Sequence, residues 1–368
     1  MVTINKTRIT NHQLFSLTAN YSCGTSIIVV SASLAGIAKQ DAWICTILTP
    51  LFGLFFVWMY YYLASLYPNK SYVDIICSVF GKWCGSFISA AFVFICLLDV
   101  PQITWYVGNF IKTQSLINTP IYAVNTIIII ALVIGALYGI EAIARASEIF
   151  VYIVSFMFIL SLMLVSPNAK FENLLPVLEK GITPALKGAV LLSSYTTWPL
   201  VVLNMIYPLN VNNIKNARKP LFIGYLWGSF IILMYNSMSI LVLGSNIAAN
   251  SAFPTYVLAK EINVGIVFTR MEAIISAAWI ITLFSKALLY FYGGVIGISQ
   301  LLGLKDYKRI VVPLGLIFVV FSNVVYPNST YEAEWDSTTW VLWIGTFAVV
   351  LPIIILIISI IKNKMRVK

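Results

Sequence analysis

Hydrophobic residues in this chain fall in long blocks separated by short polar breaks, not in the narrow stripes of a water-soluble helix. A helix that crosses a bilayer needs about 20 mostly apolar residues to pass roughly 30 Å of hydrocarbon. That rule predicts about ten spans, near 12–37, 42–66, 84–111, 120–139, 146–166, 185–207, 221–244, 270–300, 309–326 and 338–361. The expected fold class is an all-α integral membrane protein, with residues 1–368 as a single transmembrane domain. The third and eighth blocks are long enough to tilt. Tyr and Trp gather at span ends (Trp43, Tyr60 to Tyr62, Trp83, Trp105, Trp335, Trp340), as an interfacial belt would. Between spans, residues 71–83 place Val73, Ile76, Phe80 and Trp83 at helical spacing, with Asp74, Ser78 and Lys82 on another face. That pattern predicts a short amphipathic helix at the membrane surface. Residues 167–188 form the longest polar insertion, punctuated by Pro167, Pro176, Gly181, Pro184 and Gly188, and read as a lid.

Irregular backbone at membrane depth is tolerated only where protein buries it or a wet cavity adjoins it. Two blocks weaken in the middle. The first carries small and polar residues from Asn20 to Ser26, around Gly24. The sixth is polar from Ser193 to Thr197, and Pro199 follows. Proline has no N–H to donate and clashes with the carbonyl of Tyr195, four residues back; it also pushes Trp198 away from helical angles. Small and hydroxylic residues also let helices pack closely, so either break alone is ambiguous. Their matching places, first and sixth of ten, favour discontinuous helices in a 5+5 inverted repeat, the pattern of secondary transporters. The N-termini of such half-helices present bare amide donors to an anionic group.

Two charges fall near the middle of spans: Asp99 in the third and Lys286 in the eighth. Each costs roughly 2.5–3.5 kcal/mol at a helix centre, so each needs a partner, most simply the other or a bound ligand. Lys286 can supply a fixed positive charge, hold a carboxylate, carry a proton, or form a static ion pair that only fixes packing. Pro101 frees a carbonyl one turn before it, next to Asp99. The residues thus nominate Asn20, Ser22, Cys23, Gly24, Thr25, Asp99, Ser194, Thr197 and Lys286 as ligand-binding. Glu141, Arg145 and Glu148 open the fifth span, where Arg145 can pair with either acid as an inner-face anchor.

Composition agrees with the pattern: 60% of residues are hydrophobic and 10% charged, where a soluble domain carries about 25% charged. The net charge of +10 is mostly a topology signal and calls for no nucleic acid. With the N-terminus inside, cytoplasmic segments hold Lys6, Arg8, Lys70, Lys82, Arg145, Lys215, Arg218, Lys219, Lys305, Lys308, Arg309, Lys362, Lys364, Arg366 and Lys368. Outer segments hold Lys39, Lys112, Lys170, Lys180, Lys187, Lys260 and Arg270, and the last outer loop is acidic (Glu332, Glu334, Asp336). Both termini are therefore expected in the cytoplasm. No small-residue cleavage site follows the first block, so a removed signal peptide is not expected. Cys23, Cys45, Cys77, Cys84 and Cys96 show no paired spacing, and His12 near the terminus is the one histidine, which leaves little for a metal site. No phosphate-cradling loop is present. No catalytic residue, cofactor or enzymatic activity is expected.

Five segments, in order along the whole chain, carry a family resemblance: TNHQLFSLTANYSCG, KQDAWI, YGIEAIARASEIF, NLLPVLEKGITPALKG and RMEAIISAAWIITLFSKALLYFY. Together they resemble the B subunit of endospore nutrient germinant receptors (the GerAB type), a branch of the amino acid–polyamine–organocation transporter superfamily. The resemblance implies a LeuT-like bundle in the spore inner membrane, acting with an A subunit and a lipoprotein C subunit to sense a small nutrient. Amino-acid permease is the alternative. By position, Gly24 matches the family's glycine in the unwound first span, and Val100, Trp198 and Ser285 fall where the family's ligand pocket is lined. The family usually follows that glycine with a second glycine and a proline; here stand Ser26 and the proline-free IIVVSAS.

Overall fold

A computed structural model of the protein describes residues 8–261 and 272–367. The expected placements of Lys6, Arg270 and Lys368, and the start of the eighth span at 270–271, lie outside the described residues, as do the side chains of Lys364 and Arg366.

The chain is almost entirely helical. Helix α1 (Asn11–Cys23) begins with a capping box in which the Thr10 hydroxyl accepts from the Gln13 amide and the Gln13 side chain caps Thr10 in return. A 3-10 turn (Gly24–Ile27) separates α1 from α2 (Val29–Ala38). Then come α3 (Ala42–Leu66), α4 (Tyr72–Phe80), α5 (Lys82–Phe110), α6 (Ile121–Tyr138) and α7 (Ile140–Val165). The sixth block is α8 (Thr183–Thr196), a 3-10 segment (Trp198–Met205) and the single turn α9 (Tyr207–Asn210). After it follow α10 (Arg218–Asn250), α11 (Pro254–Lys260), α12 (Glu272–Leu301) and α13 (Lys308–Phe321). The chain ends with α14 (Ser329–Ser337), α15 (Thr339–Gly345), a π-helical turn (Thr346–Val350) and α16 (Leu351–Val367).

Among the described residues, eight helical runs are long and apolar enough to cross a membrane, against about ten expected. The difference lies in two places. Only the Lys39–Asp41 turn separates α2 from α3, so the two merge into one apolar run of 38 residues. At 1.5 Å per residue that run would be about 57 Å long, more than one crossing needs. Helix α13 has only 14 residues.

Burial sorts the spans. In their most apolar stretches, 78% of Thr183–Met205 and 72% of Glu272–Leu301 is buried, against 28% for Ile121–Tyr138 and for Ile140–Asn168. The broken sixth block and α12 therefore form the centre, while α6 and α7 face outward with side chains such as Ile127, Tyr152 and Phe156 exposed. Around that centre α10 packs along α1, α2 and α3, and α12 packs along α5, α7 and α1.

The connecting segments depart from expectation in detail. Helix α4 forms on a Ser71–Asp74 capping box, but it buries Tyr72, Val73, Ile75, Ile76 and Val79 against α5. Trp83 belongs to α5 and is 89% exposed, so it leaves the predicted apolar face. The 167–188 segment is tied down by polar contacts: Gln40 donates to the Pro176 carbonyl (2.7 Å), the Leu178 amide to Asp41 (3.0 Å), and Asn173 to the Leu241 carbonyl (2.8 Å). Arg145 pairs with Glu141, whereas Glu148 takes His12 (2.9 Å) and Gln13 (3.3 Å) from α1. The five cysteines are free.

Candidate solute-binding site

The sixth block breaks where proline dictates. Because Pro199 brings no N–H, the Tyr195 carbonyl loses its helical donor, and the chain tightens into i→i−3 bonding, with the Leu200 amide on the Thr197 carbonyl (3.1 Å). Unpaired carbonyls at membrane depth must find donors. Four arrive, each from a different element. Lys286 Nζ on α12 donates to the Tyr195 carbonyl (2.7 Å), and Trp340 Nε1 on α15 to that of Ser194 (3.2 Å). The Tyr21 hydroxyl on α1 donates to the Pro199 carbonyl (3.1 Å). The Tyr60 hydroxyl on α3 lies between the carbonyl oxygens of Trp198 (3.2 Å) and Ala348 (2.7 Å).

The first block breaks at Gly24, whose backbone (φ 19°, ψ −123°) leaves the helical region. Glycine is required there by space: a Cβ on Gly24 would sit 2.5 Å from Lys286 Cδ. The Ile27 carbonyl beyond the break accepts from Thr255 Oγ1 (2.6 Å) on α11 and from Ser31 Oγ (2.7 Å). Lys286 thus threads the opening made by Gly24. Its ammonium reaches Thr25 Oγ1 (3.3 Å) in the first break as well as the Tyr195 carbonyl in the sixth, and lies 5.5 Å from the centroid of the Tyr21 ring. The C-terminal end of α8 adds a partial negative charge.

Of the partners left open for the two buried charges, Asp99 and Lys286 form no ion pair with each other within 4.0 Å. Among the described residues the ion pairs within 4.0 Å are His12–Glu148 and Arg145–Glu141. Lys286 is 1% exposed and is held by a carbonyl, a hydroxyl and a ring face instead. Hydrogen bonds to a charged group contribute about 1.5–3 kcal/mol each, enough to offset roughly 2.5–3.5 kcal/mol for a lysine at span centre. Asp99 is 6% exposed and lies in the field of Lys286 beside Tyr290.

The nominated residues cluster, but several turn to structural work. Asn20 donates to the Ser147 carbonyl (3.0 Å), Cys23 to that of Gly228 (3.8 Å), and the Thr197 hydroxyl meets Tyr225 (2.7 Å). Ser194 and Ser285 donate to carbonyls of their own helices, Leu191 and Ile281. Val100 is fully buried on α5, and Trp198 packs edge-on against Phe56. Ser22 keeps a buried hydroxyl with no partner.

None of the nominated residues lines the cavity of about 690 Å³ that opens further along the bundle. Helix α10 starts at a groove shared with Asn11 and ends at this cavity, so the cavity occupies the opposite end of the bundle. Val29, Ala32 and Ser33 of α2 wall one side, and Trp105 and Tyr106 of α5, Phe253, Glu332 and Asp336 complete it. The sequence pattern puts Trp105 and Trp340 in an interfacial belt and Asp336 in an outer loop. Trp105 is instead 6% exposed, Trp340 3% and Asp336 9%. The Asp336 carboxylate accepts from the Tyr106 hydroxyl (2.7 and 2.9 Å), and the Asp336 carbonyl accepts from that of Tyr195 (3.3 Å). Tyr195 therefore joins the cavity floor to Lys286.

A model of the family described as spore germination proteins matches residues 8–330. The chain belongs to that family. It is the family to which the sequence resemblance pointed. Spore germination protein KB of Bacillus subtilis (strain 168) is 28% identical, over 99% of this chain and 98% of that protein. Spore germination protein GerLB of Bacillus cereus is 23% identical, over 88% and 87%. Among solved structures, a substrate-bound, outward-open Na+-coupled sialic acid symporter aligns with a TM-score of 0.70 at 11% identity, covering 94% of this chain and 80% of that one. MhsT in complex with L-phenylalanine aligns at 0.66 and 11% identity, covering 97% and 99%. The family's fold is therefore that of the LeuT-like transporters, and this chain is an integral membrane protein.

Proposed function

We propose that the chain is the solute-sensing B subunit of a nutrient germinant receptor, a single transmembrane domain in the spore inner membrane with both termini in the cytoplasm. A small nutrient enters from the Trp105–Asp336 cavity and reaches the junction of the two broken blocks, where Lys286 holds them together. One observation carries this reading: a single buried ammonium bridges Thr25 and Tyr195, so a guest that competes for it moves both breaks at once. A ligand shifts such an equilibrium only by its difference in affinity between the two arrangements, and a carboxylate aimed at Lys286 supplies one. The signal passes to an A subunit and a lipoprotein C subunit, without metal, cofactor or catalysis.

Transport is the second reading, favoured by the fold shared with a substrate-bound symporter and with MhsT bound to L-phenylalanine. Two measurements separate them. Spores whose only B subunit is this chain should germinate on an amino acid, sugar or nucleoside and lose that response with Lys286→Met while the protein still assembles. Concentrative uptake of the same solute by proteoliposomes lacking A and C subunits would instead establish a transporter.

A further inference from the structure

At the other end of the bundle a groove of about 800 Å³ runs between the starts of α1 and α10. Phe15 of α1 forms one side, and Lys215, Arg218, Lys219, Phe222 and Ile223 form the other. Lys215 belongs to the 3-10 turn Ile214–Ala217 that leads into α10. The three cations thus stand three and four residues apart, where like charges repel each other. The first turn of α10 holds no acidic residue, and a helix dipole disfavours cations at that end. All three side chains are exposed, and among the described residues none has a carboxylate within 4.0 Å. Arg218 lies over the Phe222 ring, 5.7 Å from its centroid. His12, also on the groove, is taken by Glu148 and Tyr152 (2.9 Å each). A basic pocket between membrane helices fits an anionic lipid headgroup. The apolar block of α10 starts at Leu221, two residues beyond Lys219, which puts the cations at the edge of the hydrocarbon. From the groove an exposed apolar stripe continues along α10 through Ile223, Leu226 and Phe230, three and four residues apart and so on one face. The stripe is about 10 Å long and runs into the membrane, as an acyl chain does.

We infer that this groove binds a phospholipid whose headgroup carries a net negative charge, with its phosphate among Lys215, Arg218 and Lys219 and an acyl chain along Ile223, Leu226 and Phe230. A free phosphate or an acidic protein segment would satisfy the cations and leave the stripe unused, whereas a lipid engages both. The bound lipid joins the start of α1, the half-helix that ends at Gly24, to the start of α10. The inference goes beyond the receptor reading and does not rest on it, nor on which side of the membrane this end faces.

The test is native mass spectrometry of the full chain in detergent micelles holding equimolar dioleoyl phosphatidylglycerol and dioleoyl phosphatidylcholine, which share acyl chains and differ in net charge. The chain should retain the phosphatidylglycerol at least tenfold over the phosphatidylcholine. Lys215→Gln, Arg218→Gln and Lys219→Gln should each lower that preference about fivefold, as roughly 1 kcal/mol per cation provides, and the triple variant should abolish it. Lys305, Lys308 and Arg309 repeat the same spacing at the start of α13, with Asp306 among them. Replacing those three with glutamine removes equal charge elsewhere and should keep the preference. All six side chains are exposed, so both triple variants should fold. Equal retention of the two lipids, a preference that survives the groove triple, or one lost as fully in the α13 triple would overturn the inference. Displacement of the lipid by millimolar inorganic phosphate or by a hexaglutamate peptide would assign the cations to that ligand and overturn it too. A lost lipid preference leaves the receptor reading standing, and a missing germination response leaves the lipid site standing.

Discussion

At the scale of single residues, the decisive fit is glycine against lysine. Position 24 has no room for a methyl group because Lys286 Cδ would lie 2.5 Å away. The lysine cannot withdraw without leaving the Tyr195 carbonyl bare in an apolar surrounding, which costs about 1–3 kcal/mol. Gly24→Ala should therefore displace the ammonium from Thr25 and Tyr195, with an overpacking cost of about 1–3 kcal/mol and loss of most germination response. Lys286→Ala makes room, so Gly24→Ala should add little further harm in a Lys286→Ala background. Thermal unfolding and germination rate of both singles and the double give the coupling; strictly additive effects would separate the two residues. Gly24 and Lys286 were both legible in the sequence, one as a weak point and the other as a charge out of place. Their contact was not. Spacing along a helix fixes which turn a residue occupies, but not how far a four-carbon stem reaches or toward which neighbour. For that reason Asp99 or a bound ligand stood as the simplest partner, and the ammonium donates to a backbone carbonyl.

At the scale of elements, Pro199 sets the architecture of the sixth block, and this was readable because proline's missing donor has a fixed address four residues back. The donors that answer it were not readable. Tyr21, Tyr60 and Trp340 come from three distant segments and looked like span or interface residues. Helix α11 escaped notice because seven residues are too few for a span, yet its Thr255 hydroxyl satisfies the first break at Ile27. Helix α14 escaped for the opposite reason: its polar sequence resembles a loop, while its burial of Asp336 shows a packed element. Pro199→Ala tests the logic of the break. It restores an N–H able to reach the Tyr195 carbonyl and so competes with Lys286. The expected result is a protein at least as stable in a thermal melt, with its germination response reduced severalfold, since a regular helix is gained where a junction is lost. A melting temperature lowered together with the response would mean the proline serves packing instead.

At the scale of the whole molecule, burial separates an enclosed centre from an outer frame. The sixth block and α12 are enclosed, whereas α6 and α7 turn apolar side chains outward. In the proposed receptor a guest arrives through the end where α2, α5, α10 and α14 part, because the knot around Lys286 is otherwise packed with side chains from α1, α3, α12 and α15. The charge bias of the loops puts that end outside the membrane in the proposed orientation. Ser33 of α2 is exposed on the cavity wall, and Cys84 is the exposed native cysteine, near the opposite end at the start of α5. Ser33→Cys in a Cys84→Ser background should react with a membrane-impermeant maleimide added to intact cells expressing the protein. The germinating nutrient should slow that reaction severalfold by filling the cavity. The unaltered protein, with Cys84 and Ser33 both in place, should label only after the membrane is opened. Labelling of Cys84 in sealed cells would invert the topology, and a Ser33→Cys rate indifferent to the nutrient would place the guest elsewhere. Either result would remove the path by which a solute from outside reaches the lysine that joins the two broken helices.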